Sequence, residues 1–300
     1  TGGSGMVGKN LINFLKNKDY LIIKPKRKDL NLLDSESVMV YVEKNKPDAV
    51  VHCAGLVGGI QANIKNPYSY LFINTQIGFN LVNACVNKGV SKFINLGSSC
   101  MYPKNIDGLL EERMILTGKL EPTNEGYAIS KISTAKLCEF AGKQYNLNYK
   151  TIIPCNLYGK YDKFDATNSH LIPAVIRKLH LAKLGKEKPI IWGDGTARRE
   201  FMYVEDLADF IEWSLRNYDL LDNLTNIGLG YDYSVLEYYK EISNIVGFRG
   251  EFIFDKCKPE GMKNKLCSVK KQNKLGWFPK HNLREGLKKT YKFYLDNYEI

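Results

Sequence analysis

Short runs of apolar and β-branched residues alternate along this chain with longer stretches in which apolar residues recur every three or four positions. The short runs predict five strands, at residues 20–23, 49–53, 92–96, 149–153 and 189–192. The longer stretches predict eight helices, at residues 8–16, 35–43, 69–87, 126–144, 169–184, 204–216, 234–246 and 284–297. Apolar strands that alternate with helices are typical of a doubly wound parallel sheet, so the predicted fold class is α/β.

No internal repeat, low-complexity tract or Pro/Gly/Ser-rich linker divides the chain. A second domain must therefore be built from insertions at the end of the sheet. We expect a nucleotide-binding domain over residues 1–158, with a return segment near 196–228. A smaller, discontinuous α/β domain is expected over residues 159–195 and 229–300. No apolar strand precedes Thr1, so several further residues are expected there in the native protein.

Composition narrows the possible environments and partners. A hydrophobic content of 44% with 12% aromatics supplies enough apolar surface for a folded core. No stretch approaches the roughly 18–20 apolar residues that span a bilayer, and the seven cysteines lack metal-ligand spacing. We therefore expect a cytoplasmic protein with free thiols, no metal and no membrane partner. The net charge of +11 is spread over the chain, which favours an anionic small-molecule substrate over nucleic acid.

A glycine-rich segment, TGGSGMVG at residues 1–8, stands directly before the first predicted helix. Gly2 permits a tight turn, Gly5 permits close approach of a pyrophosphate, and Gly8 permits close packing of the helix on the sheet. A pyrophosphate would then bind the free amides at the positive end of this helix. The motif predicts a dinucleotide cofactor on a Rossmann-type sheet.

The segment after the next predicted strand indicates which dinucleotide binds. An NAD site usually ends that strand with an acid that binds the ribose 2′-hydroxyl. Here the strand runs into Lys24, Lys26, Arg27 and Lys28, and the first acid is Asp29. Cations at this place suit a 2′-phosphate, so NADP(H) is favoured over NAD.

The candidate catalytic groups are a phenol, an ammonium and a hydroxyl. Tyr127 and Lys131 lie four residues apart on one face of a predicted helix. A phenol with a pKa of about 10 is a poor acid at neutral pH, and a nearby cation is expected to lower that pKa. Ser98 follows the predicted strand 92–96, at the sheet edge where ligands bind in open α/β folds.

Together these motifs resemble the extended short-chain dehydrogenase/reductases and, within them, the GDP-L-fucose synthase group. The resemblance runs through almost the whole chain, and its SSC and NSH pieces are specific to that group. The matching segments are VGGI (57–60), LGSSCMYP (96–103), EPTNEGYAISK (121–131), PCNLYG (154–159), NSHLIPA (168–174), WGDGT (192–196) and REF (199–201).

The resemblance implies an NADPH-dependent epimerase/reductase that converts GDP-4-keto-6-deoxy-D-mannose to GDP-L-fucose. Ser98, Tyr127 and Lys131 resemble the reductase triad, whereas Cys100 and His170 resemble the pair that epimerises C3 and C5. The implied cofactor contacts are Gly2, Gly5, Met6, Val7, Gly8, Lys26, Arg27, Ala54, Gly55, Tyr127, Lys131, Asn156, Leu157 and His170. The implied substrate contacts, in the smaller domain and at the sheet edge, are Ser98, Asn156, Lys178, Trp192, Arg199 and Lys265.

Within that set, Arg199 and Lys265 resemble the positions that hold the GDP diphosphate. The resemblance also implies a homodimer built from the helices 69–87 and 126–144. Their apolar positions exceed what one sheet face would bury; examples are Phe72, Ile77, Leu137 and Phe140.

Several positions depart from the pattern of the group. Ser4 replaces an arginine that helps to hold NADP, and Lys160 replaces a proline. In the substrate region the segment 258–262 reads KPEGM, and Ser268 replaces an aspartate. These changes leave the reductase residues intact but put the exact sugar in doubt.

The main alternative is therefore a C4-reductase of a related GDP-4-keto sugar, such as a GDP-4-keto-heptose, with little or no epimerisation. A 4,6-dehydratase would need an acidic pair where this chain has Ser99 and Cys100. A 4-epimerase usually has an acid after the second strand. A non-catalytic NADP-binding protein would typically lack the Tyr/Lys pair.

Overall fold

The computed structural model describes residues 1–166, 169–257 and 262–298. Asn168 of the NSHLIPA motif and residues 258–261 of the KPEGM segment lie outside them. The helices are α1 Met6–Leu15, α2 Ser35–Asn45, α3 Ile60–Lys65, α4 Pro67–Asn87, α5 Glu125–Tyr145, α6 Leu171–Lys183, α7 Val204–Arg216, α8 Val235–Val246, α9 Lys270–Lys274 and α10 Leu283–Asn297. The strands are β1 Ala49–His52, β2 Lys92–Leu96, β3 Lys150–Pro154, β4 Asn156–Tyr158, β5 Ile190–Trp192, β6 Arg198–Arg199, β7 Phe201–Tyr203, β8 Leu224–Ile227, β9 Tyr233–Ser234 and β10 Ile253–Asp255.

Four parallel strands form the main sheet, in the order β1-β2-β3-β8. Neighbouring residues of β2 alternate between its faces, so Phe93 packs into a core cluster with α2 and α4, and Ile94 into one with α1 and α7. Helices therefore cover both faces of a parallel sheet, which confirms the predicted α/β fold class.

A second group of elements follows β3. β5 pairs with β10 and β4 with β7, both parallel, and β6 pairs with β9 antiparallel. Their apolar side chains join those of α6, α8 and α10 in a separate cluster around Tyr158, Ile176 and Tyr238. α7 packs on α1 and β8 returns to the main sheet, whereas Trp277 joins the core of that sheet from the C-terminal part of the chain.

The eight predicted helices all form, each within about two residues of its predicted ends. Local signals explain several of these ends. Asp34 accepts hydrogen bonds from two amides at the start of α2, and Ser234 and Glu237 form a capping box at the start of α8. Gly247 ends α8 in a left-handed conformation, at a φ of +78°.

The predicted strand at residues 20–23 does not form. Thr1 borders β1, because its amine donates to the Val51 carbonyl over 2.7 Å, and Gly3 lies beside Lys24. The glycine-rich turn thus lies between β1 and the end of segment 20–23, which pairs with no strand among the described residues. Leu21 is consequently 95% exposed. A strand requires hydrogen bonds from a neighbouring strand, and apolar composition alone does not supply them.

The longest helices, α4 and α5, pack on each other and leave aromatic side chains in solvent. Phe72 is 49% and Phe140 is 54% exposed, whereas Ile77 is only 7% exposed and Leu137 packs partly against the core. Ile77 therefore fills the core of its own chain, and of the four residues named for the apolar face only Phe72 and Phe140 are exposed. Among the described residues, no helix is both long and apolar enough to cross a membrane.

Candidate active site

The glycine-rich segment forms a tight turn that leads directly into α1. The Gly5 amide donates to the Gly2 carbonyl over 3.0 Å, and Gly2 has a φ of +73°, which residues with side chains rarely adopt. A Cβ on Gly8 would lie 2.2 Å from the Gly2 carbonyl oxygen, and a Cβ on Gly2 would lie 2.5 Å from the Ala54 nitrogen. Glycine is thus required at both positions. The turn leaves the space at the start of α1 that a pyrophosphate needs.

Four other predicted cofactor contacts border this turn. Met6 and Val7 are the first residues of α1, and their amides precede its first internal hydrogen bond. Ala54 and Gly55 follow β1, and a Cβ on Gly55 would lie 3.9 Å from the amine of Lys131. The residues after β1 therefore lie between the glycine turn and Lys131 of α5.

The basic segment that follows residues 20–23 also lies beside the glycine turn. The Cβ of Lys24 is 3.4 Å from the position that a Cβ on Gly3 would take. Lys26 and Arg27 are exposed in the next turn. Asp29 closes that turn by accepting a hydrogen bond from the Lys26 amide over 3.0 Å. The first acid of the segment is thus engaged by backbone, and the two cations are available for a phosphate.

The predicted reductase triad comes together at the carboxyl end of β2. Tyr127 and Lys131 lie one turn apart near the start of α5, and Ser98 follows β2. The Ser98 hydroxyl is hydrogen-bonded to the Tyr127 hydroxyl and also accepts the Cys100 amide over 3.2 Å. The Lys131 amine donates to the Leu96 carbonyl over 2.8 Å. The end of β2 and the start of α5 therefore place all three groups in one site, in which Lys131 is buried and Ser98 and Tyr127 are partly buried.

The electrostatics of the triad differ from the sequence-based expectation. Burial raises the pKa of Tyr127, and the hydrogen bond from Ser98 opposes this rise only in part. Burial also lowers the pKa of Lys131 to about 8. The ammonium binds the Leu96 carbonyl and does not hold the phenol pKa down in this state. Burial has a larger effect on the Tyr127 pKa than the Lys131 ammonium, because that ammonium donates its hydrogen bond to Leu96. The phenol is therefore held in its protonated form, which can donate a proton.

Cys100 lies in a short 3₁₀ turn, Ser99–Met101, next to the triad. Its sulfur accepts a hydrogen bond from the Asn124 amide nitrogen over 3.2 Å. The Lys265 amine lies 3.4 Å from the same sulfur. The structure thus places the Lys265 amine against the candidate epimerase thiol, and its predicted role as a diphosphate contact stays a prediction.

His170 stands immediately before α6 as its N-cap residue. Burial lowers the pKa of the imidazole, and the charges of Lys163 and Lys265 lower it further. The imidazole is therefore neutral at pH 7 and can both accept and donate a proton. Lys265 therefore connects the two groups, because its amine contacts the Cys100 sulfur and its charge lowers the His170 pKa.

The remaining predicted substrate contacts lie further along the chain. Lys178 is directed into the second core, where its amine donates to the Ile190 carbonyl and, over 3.0 Å, to the Tyr239 hydroxyl. Trp192 ends β5 and is partly exposed, and Arg199 is half-buried in β6. The structure thus brings the catalytic groups together, and the roles of Lys178, Trp192 and Arg199 as substrate contacts stay predictions.

Asn156 and Leu157 lie in β4, directly after the main-sheet strand β3. The Asn156 amide nitrogen donates to the Glu200 carbonyl over 2.9 Å, which fixes its orientation. The role of both residues as cofactor contacts stays a prediction.

Two residues that contact the site were not predicted as site residues. Asn124 belongs to the matching segment 121–131, in which only Tyr127 and Lys131 are predicted site residues, and its amide nitrogen donates to the Cys100 sulfur. The ring of Tyr70 lies edge-on to the ring of Tyr127, with 6.2 Å between centroids, and its hydroxyl packs against Gly58 of the VGGI motif. The closeness of Asn124 to Cys100 depends on the path of the chain, so its sequence position carries no signal for it.

Comparison with known proteins identifies the family. Residues 1–228 match the NAD dependent epimerase/dehydratase family, and the chain belongs to it. Individual relatives indicate more specific activities than the family does. The chain is 51% identical to GDP-L-colitose synthase of Yersinia pseudotuberculosis, with 99% of this chain and 97% of the relative covered. It is 46% identical to GDP-L-fucose synthase of Azorhizobium caulinodans, with 100% and 96% covered.

Among solved structures, a GDP-D-glycero-L-gluco-heptose synthase from Campylobacter jejuni, determined in the presence of NADPH, has a TM-score of 0.91. It is 31% identical, with 98% of this chain and 97% of that chain covered. These findings confirm the predicted Rossmann-type fold, the enzyme class and the nicotinamide dinucleotide cofactor.

Proposed function

We propose that this protein is an NADPH-dependent epimerase/reductase that converts GDP-4-keto-6-deoxy-D-mannose to GDP-L-fucose. One observation carries the proposal: a reductase triad and a thiol lie side by side in one site. An imidazole influenced by the same lysine accompanies them. The similarity to a GDP-L-fucose synthase over the whole chain supports the same activity.

The residues around the glycine turn fit NADPH, which supplies the hydride for C4 of the sugar. The glycine turn accommodates the pyrophosphate at the start of α1, and Lys26 and Arg27 offer charge for the 2′-phosphate. Tyr127 donates its proton to the C4 oxygen, and the hydrogen bond from Ser98 stabilises the phenolate that remains. Lys131, held by Leu96, adds positive charge beside the phenol.

Epimerisation uses the acidity that the C4 ketone gives to C3 and C5. A carbon inverts when one group removes its proton from one face and another group delivers a proton to the opposite face. Cys100 and His170 are suited to this exchange because both thiol and imidazole transfer protons near neutral pH. Protons on these groups exchange with solvent, so epimerisation in deuterium oxide should place deuterium at C3 and C5.

Two related substrates are the competing candidates. The 51% identity to a GDP-L-colitose synthase favours the precursor of GDP-L-colitose. The similarity to a heptose synthase favours reduction of a GDP-4-keto-heptose with little or no epimerisation. The reductase groups serve all three substrates, so product analysis distinguishes them.

NADPH absorbance followed with a panel of GDP-4-keto sugars, with products identified by NMR, tests the proposal. In deuterium oxide the unmutated protein should place deuterium at C3 and C5 and form GDP-L-fucose. Tyr127→Phe should lose NADPH oxidation by about two orders of magnitude, the usual scale for a positioned acid, yet still exchange deuterium. Cys100→Ala should lose exchange. If the unmutated protein reduces a sugar without incorporating deuterium, the epimerase assignment is wrong and the C4-reductase replaces it.

The exposed aromatic faces of α4 and α5 support a homodimer in which these two helices pack against their counterparts. Phe72 and Phe140 are about half exposed, and Phe72 stacks on Tyr68 at 5.6 Å. Exposed aromatic clusters on monomers commonly mark interfaces. All seven cysteines are free thiols, which supports a location in the reducing cytoplasm.

A further inference from the structure

The sulfur of Cys100 lies between two hydrogen-bond donors from different parts of the chain. The Asn124 amide nitrogen is 3.2 Å away and the Lys265 amine is 3.4 Å away. The residue Lys265 is only 9% exposed. A lysine is rarely buried unless its charge meets a partner, and the ammonium of Lys265 donates to the sulfur of Cys100.

Backbone hydrogen bonds hold the segment next to Lys265 near the Cys100 turn. The Leu110 amide donates to the Leu266 carbonyl over 2.9 Å, and the Ser268 amide donates to the Leu110 carbonyl over 2.9 Å. These bonds tie the segment after Lys265 to the chain that follows the Cys100 turn. The lysine is therefore attached to backbone that lies near the Cys100 turn, within reach of the sulfur.

Asn124 gives independent support. Its carbonyl oxygen is buried and accepts no hydrogen bond from the described residues. The amide therefore donates to the sulfur while its acceptor stays unsatisfied, which normally costs free energy. The hydrogen-bonding needs of the Asn124 amide itself therefore do not explain its orientation. Two donors directed at one sulfur do suit a negatively charged thiolate.

We infer that Lys265, with Asn124, is a positioning residue that stabilises the Cys100 thiolate for epimerisation. This inference rests on the proposed function. In the step concerned, the thiolate takes a proton from C3 or C5, so the C–H bond breaks and an S–H bond forms. The electron pair of the C–H bond becomes the C=C bond of an enolate that carries its charge on the former C4 ketone oxygen. The paired ammonium then holds the thiolate in place before each such step.

A diphosphate contact would make different demands on Lys265. A residue that only binds the nucleotide contributes to KM, and its loss should leave proton exchange at saturating substrate unchanged. A residue that serves the thiolate should instead affect exchange at saturating substrate. It should also affect the reactivity of Cys100 when no substrate is present.

The test compares Lys265→Met with Lys263→Met, which removes the same charge from an exposed position two residues away. Iodoacetamide reacts with thiolates, and peptide mass spectrometry gives the alkylation rate of Cys100 relative to the exposed Cys257 in the same molecule. The ratio should fall by about tenfold or more in Lys265→Met and by less in Asn124→Ala. It should stay near the unmutated value in Lys263→Met, and Lys265→Arg should restore most of it.

Deuterium incorporation at saturating GDP-4-keto sugar supplies the second measurement. It should fall by about tenfold or more in Lys265→Met, with little change in KM. An unchanged Cys100/Cys257 ratio in Lys265→Met, or a raised KM with normal exchange at saturation, would overturn the inference. Absence of exchange in the unmutated protein would reject the proposed epimerase function separately, because the alkylation ratio needs no substrate.

Discussion

Lys131 carries its positive charge in a buried place, and replacing it by a neutral residue should make the protein more stable. The residue is 8% exposed, and its amine donates to the Leu96 carbonyl over 2.8 Å. Burial nevertheless lowers its pKa from the ordinary value of 10.5 to about 8. Folding therefore works against the protonated form of this side chain.

The size of this effect follows from the pKa. One pKa unit corresponds to about 1.4 kcal/mol, so a fall from 10.5 to about 8 sets an upper limit of about 3 kcal/mol on the penalty. Lys131→Met keeps most of the side-chain volume and removes the charge. The Leu96 carbonyl loses a donor, which costs about 1 kcal/mol. We expect Lys131→Met to raise the free energy of unfolding by about 1–2 kcal/mol at pH 7.

The pH dependence has a definite sign. Below about pH 8, Lys131 is protonated in both the folded and the unfolded protein, and the penalty is complete. Between about pH 8 and 10.5 the folded protein releases this proton while the unfolded chain keeps it. The unfolded state then binds more protons, so the stability of the unmutated protein rises with pH. The advantage of Lys131→Met should shrink across this window.

Urea unfolding of the cofactor-free protein, from pH 7 to 10.5, measures both quantities. Lys65→Met removes an exposed lysine at the end of α3 and separates the effect of burial from general loss of positive charge. A Lys131→Met variant that is less stable than the unmutated protein at pH 7 would refute the argument. An advantage that stays constant from pH 8 to 10.5 would refute it equally.

Two further predictions concern cofactor choice and assembly. NADPH should bind at least about tenfold more tightly than NADH, roughly 1.4 kcal/mol, in fluorescence titrations. Replacing Lys26 and Arg27 by alanine should remove the preference by weakening NADPH alone, and equal affinities in the unmutated protein would contradict it. Light scattering at micromolar concentration should give about twice the 34.2 kDa chain mass. Phe72→Glu with Phe140→Glu should give single chains, whereas a single-chain mass for the unmutated protein would exclude the dimer.

The period of the apolar pattern determined the helices of this protein. A helix satisfies its own backbone, so its limits depend on nearby residues such as Asp34 before α2 and Gly247 after α8. Four of the five predicted strands also formed; the apolar runs of β2 and β3 are buried on both faces of the main sheet, whereas β5 pairs with β10 and is partly exposed. The glycine turn was likewise readable, since its steric demands act within eight residues.

Strand pairing depended on the tertiary structure. The segment 20–23 has strand-like composition but pairs with no strand in the part of the chain that the structure describes. In contrast, β6 and β9 are two-residue strands that are too short to show any period. Hydrogen bonds between strands join residues that are remote in sequence, and a short segment does not specify its partner.

The contacts of the catalytic site divide in the same way. Tyr127 and Lys131 lie on one face of α5 because four residues make about one helical turn, which the sequence shows directly. Lys265 meets Cys100 across 165 positions of the chain, and only the folded path brings the amine to the sulfur. The proton affinity of Tyr127 was also decided by the tertiary structure, because burial depends on everything that packs around the phenol.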